Sequence, residues 1–480
     1  MIFEVIAAHQ QRGTKHFYYD NALNILKDAD GNVFEYPTIN KGHMHETKPF
    51  SKDAPLKKSK NISVLKIQLG LSCNYSCDYC SQRFVERPPE TSKKDIDDFI
   101  AKLDTLNFSE QQGLKIEFWG GEPLVYWKTL KPLAEALLEK FSSWKDRPVL
   151  GMVTNGSLLT KEICSWLYYM NFNIGISHDG PGQVARGPDP FDDPEKKAII
   201  LEFYKIMREQ NRISFNTMMH SKNKSRKAVF DWFAELLGDE KNVVLGEGNF
   251  IDAYDDAALD NSLTTYADHF AYRQQAFNDI FTTRGNIGFR STLDKIDNFT
   301  RGVLAHVESK YTGQKCGMDD EHTIAVDLKG NIVTCQNVSI METSKNGESH
   351  LGGNLADYDN VELKSVTHWM NRANCSNCPV LHLCKGSCMY LDGKYWDATC
   401  DNAYSDNVPL FALAFSNITN GYIPVRIIGE GLPEYRQDIW GTIFKHEEKQ
   451  KQKVIPIKVV TEKIGKIGDV EVYGQSKIEA

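Results

Sequence analysis

From Val64 onward the chain alternates short apolar runs with longer stretches in which apolar residues recur every three or four positions. The runs are VLKIQLG, LKIEFWG, VLGMVTNG, FNIGIS, ISFNTMM and NVVLGEG, and they read as strands. Between them the windows Lys93 to Leu106, Leu130 to Phe141, Lys161 to Met170, Pro194 to Gln210 and Ser225 to Leu237 are amphipathic at helical spacing. Strands alternating with helices imply a parallel sheet closed by right-handed crossovers, and six units are too few for a full eight-unit barrel. The expected fold class is α/β, a partial (β/α)6 TIM-like barrel.

Two flanking regions follow other patterns. Residues 1 to about 40 alternate apolar and polar positions around Asp30-Gly31, which predicts a small antiparallel hairpin or meander. A Lys-rich, Pro-containing stretch from Lys48 to Lys60 reads as a linker. Beyond about residue 290 the rhythm stops, and turn residues and cysteines accumulate up to Cys400 in a loop-rich unit. After Arg436 come an amphipathic stretch, the charged run HEEKQKQK and a Val/Ile/Lys tail whose alternating pieces suit an edge hairpin or a loose end. The expected division is residues 1–62 as an N-terminal β extension, 63–290 as the barrel, 291–405 as a cysteine-bearing module and 406–480 as a C-terminal extension.

Composition narrows the function classes. Of 480 residues, 41% are apolar and 25% charged, an ordinary globular mixture. With 56 basic against 64 acidic side chains the net charge is −8, which offers no global attraction for nucleic acid or anionic lipid. No secretory leader and no apolar run of about 18 residues is apparent, so a cytoplasmic location is expected. In that compartment eleven cysteines point to metal ligation, catalysis or burial rather than to disulfides.

Cys73, Cys77 and Cys80 occupy LSCNYSCDYC, directly after the first strand of the alternating region and thus at the C-terminal mouth of the sheet, where such folds place chemistry. Three thiols at CxxxCxxC spacing fall one short of closing a four-iron cube, which leaves one iron open to an outside chelator; a zinc half-site is the alternative. Tyr79 is placed to pack over the site. The spacing resembles that of radical S-adenosylmethionine (SAM) enzymes, and later motifs match the family in order. Gly120, Gly121, Glu122 and Pro123 resemble its GGEP motif, whose backbone and glutamate bind the amino end of the methionine. VTNG, with Asn155, resembles the next strand end. ISHDGP resembles the fourth, where the resemblance implies that Ser177 and Asp179 face the ribose, and Asn216 matches a polar fifth-strand position. The likeness covers about residues 63 to 250.

Farther on, Cys316 and Cys335 frame a CX13GX4C pattern, and Cys375, Cys378, Cys384, Cys388 and Cys400 follow as CX2CX5CX3C-X11-C. Seven cysteines so arranged resemble the SPASM extension of radical SAM enzymes, which carries two auxiliary iron–sulfur clusters. The resemblance implies Cys316, Cys335 and Cys388 on the inner cluster and Cys375, Cys378, Cys384 and Cys400 on the outer. His322 stands where some members supply a further ligand, and a solvated histidine is the plainer alternative. A zinc site from Cys375, Cys378, Cys384 and Cys388 is the alternative for the module. Gly330 is expected to mark a hairpin turn, and Cys164 to be a buried small hydrophobe.

These resemblances imply [4Fe-4S] clusters, one binding SAM and two auxiliary, with SAM as cosubstrate and a reductant such as flavodoxin or ferredoxin as partner. Members with this module mostly modify peptides or proteins. The leading expectation is an oxidoreductase that forms a thioether or carbon–carbon cross-link within a ribosomally made precursor peptide. Sulfatase maturation is second: there an acid beside the cysteine equivalent to Cys335 acts as base, whereas this chain reads Gln336-Asn337. Small-molecule dehydrogenation and a non-enzymatic electron carrier are further alternatives, and the SAM-type motifs speak against the carrier. The N-terminal hairpin suggests a place where a peptide joins as an added strand. The acidic loop Gly187 to Glu195 and the Asp252, Asp255, Asp256 run are either contacts for a basic peptide or solvated connectors. No catalytic base is named by the sequence.

Overall fold

Residues 64–247 supply six parallel strands, because each apolar run is too short to serve as a helix and the first five are each followed by a helix that returns the chain. In the computed structural model these are β5 (Val64–Gln68), β6 (Lys115–Trp119), β7 (Val149–Thr154), β8 (Asn173–Ser177), β9 (Ile213–Asn216) and β10 (Leu245–Glu247). The helices α1 (Ile96–Lys102), α2 (Trp127–Lys140), α3 (Lys161–Tyr169), α4 (Pro194–Glu209) and α5 (Arg226–Leu237) fall in the five expected windows. Thr160, Asp193 and Ser225 cap α3, α4 and α5 by accepting backbone N–H bonds. Described are residues 1–36, 46–83, 85–283, 287–344 and 347–442, together with the backbone of 459–467 and 470–478. The run HEEKQKQK lies outside the described residues.

The sheet does not stop at six strands. Its order is β10-β9-β8-β7-β6-β5-β11-β12-β13, with β11 (Thr323–Asp327), β12 (Asn331–Val333) and β13 (Leu351–Asn354) contributed by the region expected to be a separate loop-rich unit. β11 runs parallel to β5, Ala325 opposite Lys66, and is buried along its whole length. β12 and β13 then fold back antiparallel. Gly330 makes the expected turn between β11 and β12, at φ 83°. Farther upstream, β4 (Leu56–Lys57) pairs with β14 (Glu362–Leu363) and ties the linker down.

Strand alternation explains the barrel's interior. Ile116, Phe118, Ile213 and Phe215 point outward into the helix layer and are buried. The inward positions are polar or small instead, and Glu117, Trp119, Gly151, Gly175, Ser214 and Asn216 line a cavity of about 380 Å³.

The expected boundary at residue 405 falls inside a helix. α11 (Gly393–Ile418) is 26 residues long and packs against α7 (Tyr266–Thr282) and α8 (Arg290–Leu304). It is buried on nearly every side from Thr399 onward, including the polar Asn402, Ser405, Asp406 and Asn407. Burial all round hides the periodicity by which a helix is read, and Pro409 adds a misleading break signal. Asp406 forms an ion pair with Arg226 of α5 at 2.6 Å, both side chains being almost wholly buried. Tyr272 of α7 donates to the same carboxylate at 2.6 Å, and Arg226 also donates to the Gly248 carbonyl at 2.7 Å. Among the described residues no helix is long and apolar enough to cross a membrane.

The chain's two ends share a second sheet. β1 (Ile2–His9), β2 (Gly13–Asp20) and β3 (Ile25–Asp28) form the expected meander, and β15 (Ile423–Ile428) pairs with β1 to give the order β15-β1-β2-β3. Phe17 and Tyr19 pack edge-on or tilted against Phe415 and Phe411 of α11. Each edge of the sheet is partly paired within the chain, Lys27 bridging Val33 and Arg426 bridging Asp438. Asp28 donates to Asn32 O and Phe34 to Leu26 O along β3, while Ile439 donates to Val425 O along β15. A peptide joining as an added strand would compete with these bonds. The tail forms a separate hairpin of β16 (Val459–Ile467) and β17 (Val470–Ile478).

Removing one partner of the Arg226–Asp406 pair leaves a buried charge uncompensated, so Asp406→Asn is expected to lower the unfolding free energy by about 3–5 kcal/mol. Urea denaturation followed by tryptophan fluorescence checks this, and an Arg226→Met/Asp406→Leu double variant is expected to retain more stability than either single one.

Candidate functional site

The cysteine loop leaves β5 at Leu69 and is stitched to the ends of β6, β7 and β8 before any ligand is considered. Gly121 N–H donates to Gly70 O at 3.1 Å and Glu122 N–H to Ser72 O at 3.0 Å. A Cβ on Gly120 would sit 2.8 Å from Gly70 O, and one on Gly121 would run into Ser72 O. These two glycines are therefore required by the approach of the cysteine loop itself. Tyr126, in the turn that Pro123 opens, lies against Gly70 and accepts from Ser72 N–H at 2.7 Å.

Glu122 is buried and its carboxylate is fully engaged. It accepts from Leu124 N–H at 3.0 Å, Thr154 Oγ1 at 2.7 Å and Asn155 N–H at 2.7 Å. Burial raises its pKa, and the three donors oppose that rise. Asn155 in turn donates to Asn74 Oδ1 at 2.9 Å, and Asn74 donates to Ser157 Oγ at 2.8 Å. The GGEP and VTNG segments and the cysteine loop are thus one hydrogen-bonded unit.

Asp179 differs from the expected ribose-facing role. Its side chain is fully buried and bound by three donors: Tyr79 Oη, Arg186 Nη2 at 2.8 Å and Met218 N–H at 2.9 Å. It fixes the cysteine loop to the turn after β8, and Asp78 N–H adds a bond to Ala185 O at 2.8 Å. Tyr79 is held by its hydroxyl as well as by ring packing, with the Arg186 guanidinium 5.6 Å from its ring centre. Ser177 is half-buried at the end of β8 opposite Asn216 in register. Asn216 lies in the lumen, where a Cβ on Gly175 or Gly246 would collide with its amide.

The mouth holds a cavity of about 320 Å³ lined by Cys73, Cys80, Asn74, Tyr75, Arg83 and Gly121 among others. Burial raises the Cys77 thiol to about 12, opposed by the Arg186 charge, with Cys80 and Cys73 among its neighbours. Backbone N–H groups point at the sulfurs: Tyr75 to Cys73 at 3.3 Å and Gln82 to Cys80 at 3.4 Å. Donors of this kind stabilise a thiolate, the form that binds iron.

The other seven ligand candidates sort into two groups. Cys375 is raised by burial and then by Cys384, Cys400 and Cys378, and these four thiols line one pocket together with Trp396 and Tyr404. Cys335 is raised to about 11 by burial, with Cys316 as a charged neighbour, and Asn337 N–H donates to its sulfur at 3.2 Å. Cys388 is raised by burial and Asp252 first, then by Cys335 and Cys316. Among the described residues no three Cys, His, Asp or Glu side chains converge on one ion position. Cys73 and Cys80 line the mouth cavity, and Cys375, Cys378, Cys384 and Cys400 line the pocket beside Trp396.

His322 is not in the inner group. Its ring is substantially exposed and its Nδ1 donates to Asn61 O at 2.7 Å, as in the solvated alternative rather than the ligand one. Cys164 is buried in α3 as expected. The acidic segments are structural too: Asp189 pairs with the buried His178 at 3.1 Å, and Asp193 caps α4. Asp255 caps α6 (Asp256–Asp260), Asp256 pairs with Lys394, and Asp252 accepts from Ser387 Oγ at 2.6 Å.

Sequence reading passed over the lumen's charges. Lys66 Nζ lies 4.0 Å from Glu117, which Lys115 contacts at 2.5 Å and Trp119 Nε1 at 3.0 Å. Burial alone would raise Glu117, but Lys115 and Lys66 outweigh it and hold the carboxyl below its ordinary range. The signal was Lys66 inside VLKIQ and the pair Lys115 and Glu117 inside LKIEF, charged residues within otherwise apolar runs.

With this geometry, a parallel partial barrel that presents a stitched three-cysteine loop at its mouth is the frame of SAM-cleaving iron–sulfur enzymes. Residues 67–232 match the family model described as the radical SAM superfamily, so the chain carries a radical SAM domain, the domain whose cofactors are a [4Fe-4S] cluster and SAM. The radical SAM cyclopropyl synthase TigE of Paramaledivibacter caminithermalis is 24% identical over 371 residues, 70% of this chain and 70% of TigE. The cysteine-type anaerobic sulfatase-maturating enzyme of Clostridium perfringens is 22% identical over 392 residues, 75% of this chain and 98% of that enzyme. A solved structure described as "Native anSMEcpe with bound AdoMet and Cp18Cys peptide" shares the fold, with a TM-score of 0.52 at 16% identity over 75% of this chain and 99% of its own.

Glu122→Gln replaces an acceptor with an amide that cannot serve all three donors, so a loss of about 1–3 kcal/mol in unfolding free energy is expected. Thermal and chemical denaturation in the absence of SAM measure it, because the bonds exist without ligand.

Proposed function

We propose that this enzyme oxidatively modifies a ribosomally made precursor peptide, closing a thioether or carbon–carbon bond. The observation that carries the reading is the sorting of ten thiols into groups of three, three and four around one barrel. In this reading Cys73, Cys77 and Cys80 hold the SAM-binding cluster, Cys316, Cys335 and Cys388 an inner auxiliary cluster, and Cys375, Cys378, Cys384 and Cys400 an outer one. When bound, the first cluster and SAM supply a 5′-deoxyadenosyl radical that removes hydrogen from the substrate, and the auxiliary clusters provide an acceptor for the electron an oxidised product leaves behind.

The chain's own residues bind, orient and exclude water. The backbone of Gly120, Gly121 and Pro123 borders the SAM methionine, with Glu122 and Asn155 holding that backbone in place, while Ser177 and Asn216 face the adenosine from the lumen. Glu117 and Lys66 give the lumen charged groups for the substrate. Asp179 contributes by fixing the cysteine loop. The reading carries with it a reductant such as flavodoxin or ferredoxin, a cytoplasmic setting, a barrel unit over 63–290 and a cluster-bearing unit that extends from 291 to the end of α11.

A peptide substrate is supported by the peptide bound in the solved structure of similar fold, and carbon–carbon bond formation by the name of TigE, a cyclopropyl synthase. Against sulfatase maturation stands Gln336, a buried amide beside Cys335 that takes up no proton near neutrality.

Anaerobically reconstituted protein is expected to bind iron and sulfide equal to three four-iron clusters; iron for one cluster plus zinc would refute the auxiliary assignment. With SAM and dithionite it is expected to release 5′-deoxyadenosine, and a Cys77→Ala protein to release none. Offered a precursor peptide from a neighbouring reading frame and a sulfatase-derived peptide, it is expected to remove two hydrogens from the first; formylglycine in the second would favour the alternative.

A further inference from the structure

The terminal sheet has no place in the reaction described so far, yet it meets the outer group of thiols at two points. Asn21, at the end of β2, is buried and donates through Nδ2 to Ser376 O at 3.0 Å and Cys378 O at 2.9 Å, the carbonyls of α9 (Ala373–Ser376) and of the ligand loop after it. His382 of α10 (Leu381–Cys384) donates to Asn21 O at 2.8 Å. On the other side, α12 (Glu434–Gln437) follows β15 and carries Arg436, whose Nη2 donates to Cys400 Sγ at 3.4 Å.

Arg436 is built into this position. Its guanidinium is held by Asp401 Oδ1, with Nε at 3.1 Å, and its carbonyl accepts from Tyr404 Oη at 2.6 Å. β15 supports α12 through Arg426, which donates to Glu434 at 2.6 Å. Further cations surround the same pocket. The Arg372 guanidinium lies 3.6 Å from the ring centre of Trp396, which lines the pocket, and Lys295 and Lys315 line a polar recess with Cys384, accompanied there by Asp252 and Asp406. The inner group is different. Asn337 N–H donates to the Cys335 sulfur and Lys66 is the cation near Cys316 and Cys335, while Asp252 is held beside Cys388 by Ser387.

A cluster gains negative charge on reduction, so a nearby cation and a hydrogen bond to a ligand sulfur both favour the reduced form and raise its potential. Burial strengthens the effect by lowering the local dielectric, and Arg436 is buried. We infer that Arg436, delivered by the terminal sheet, raises the reduction potential of the outer auxiliary cluster and makes it the higher-potential member of the auxiliary pair. This deepens the proposed function and rests on its assignment of the outer cluster to Cys375, Cys378, Cys384 and Cys400. It also gives the N-terminal extension a task, that of holding a charged cap on an electron-accepting site.

The test is a potentiometric titration of the anaerobically reconstituted full chain followed by EPR, with the outer signal identified as the one missing from a Cys375→Ser protein. In the wild type the outer midpoint is expected above the inner one. Arg436→Gln is expected to move the outer midpoint to more negative potential and leave the inner one in place. Asp401→Asn removes the carboxylate that offsets the guanidinium and is expected to move the outer midpoint the opposite way. If Arg436→Gln fails to load the outer cluster, the sign of the Asp401→Asn shift decides alone. An outer midpoint below the inner one, unmoved in both variants, or shifted equally with the inner one overturns the inference while the cluster assignment stands. Wild-type protein that binds iron for one cluster only overturns the assignment and the inference together.

Discussion

The buried ion pair between Arg226 and Asp406 is the constraint on which the rest of the molecule depends. Each charge would be costly alone at that depth, and each is paired, hydrogen-bonded and shared with Tyr272. The pair joins a helix of the barrel to the long buried α11, and α11 in turn carries Cys400 at one end and the support for the terminal sheet at the other. The barrel and the cysteine-bearing region are therefore one packed body. The same conclusion follows from β11, which extends the barrel sheet beside β5.

At the barrel mouth, short-range bonds do what a ligand might be thought to do. The motif glycines let the cysteine loop approach the backbone of β6, Glu122 draws the ends of β6 and β7 together, and Asp179 pins Tyr79 and Arg186. The loop is held on three sides, so its thiols are pre-positioned and less chain entropy remains to be lost when a cofactor binds. Motif residues here act on one another as much as on the cofactor, which is why Asp179 looks like a binding residue in the sequence and is a bracket in the structure.

Around the second set of cysteines the charges are distributed unevenly. Arg436 bonds a sulfur of the group of four, whereas the group of three has Lys66 near Cys316 and Cys335 and Asp252 beside Cys388. The terminal sheet participates in that asymmetry through Asn21 and Arg436, residues 415 positions apart in the chain.

Local pattern alone settled the six strands, the five helices between them and the hairpin at Gly330, because each depends on alternation, helical spacing, caps or a positive φ within a few residues. Spacing alone marked Cys73, Cys77 and Cys80 as one group, whereas the division of the later seven cysteines was implied by the family resemblance, because local spacing would equally place Cys388 with Cys384. What depended on distant contacts was invisible: α11, whose polar residues are buried against partners from other helices; β11, whose place beside β5 spans more than 250 residues; and the outward turn of His322. Burial and pairing between remote segments decide those features. A linear pattern records which residues can be buried or charged, but only the folded chain brings an arginine at 436 to a cysteine at 400 and an asparagine at 21 to the carbonyl of Cys378.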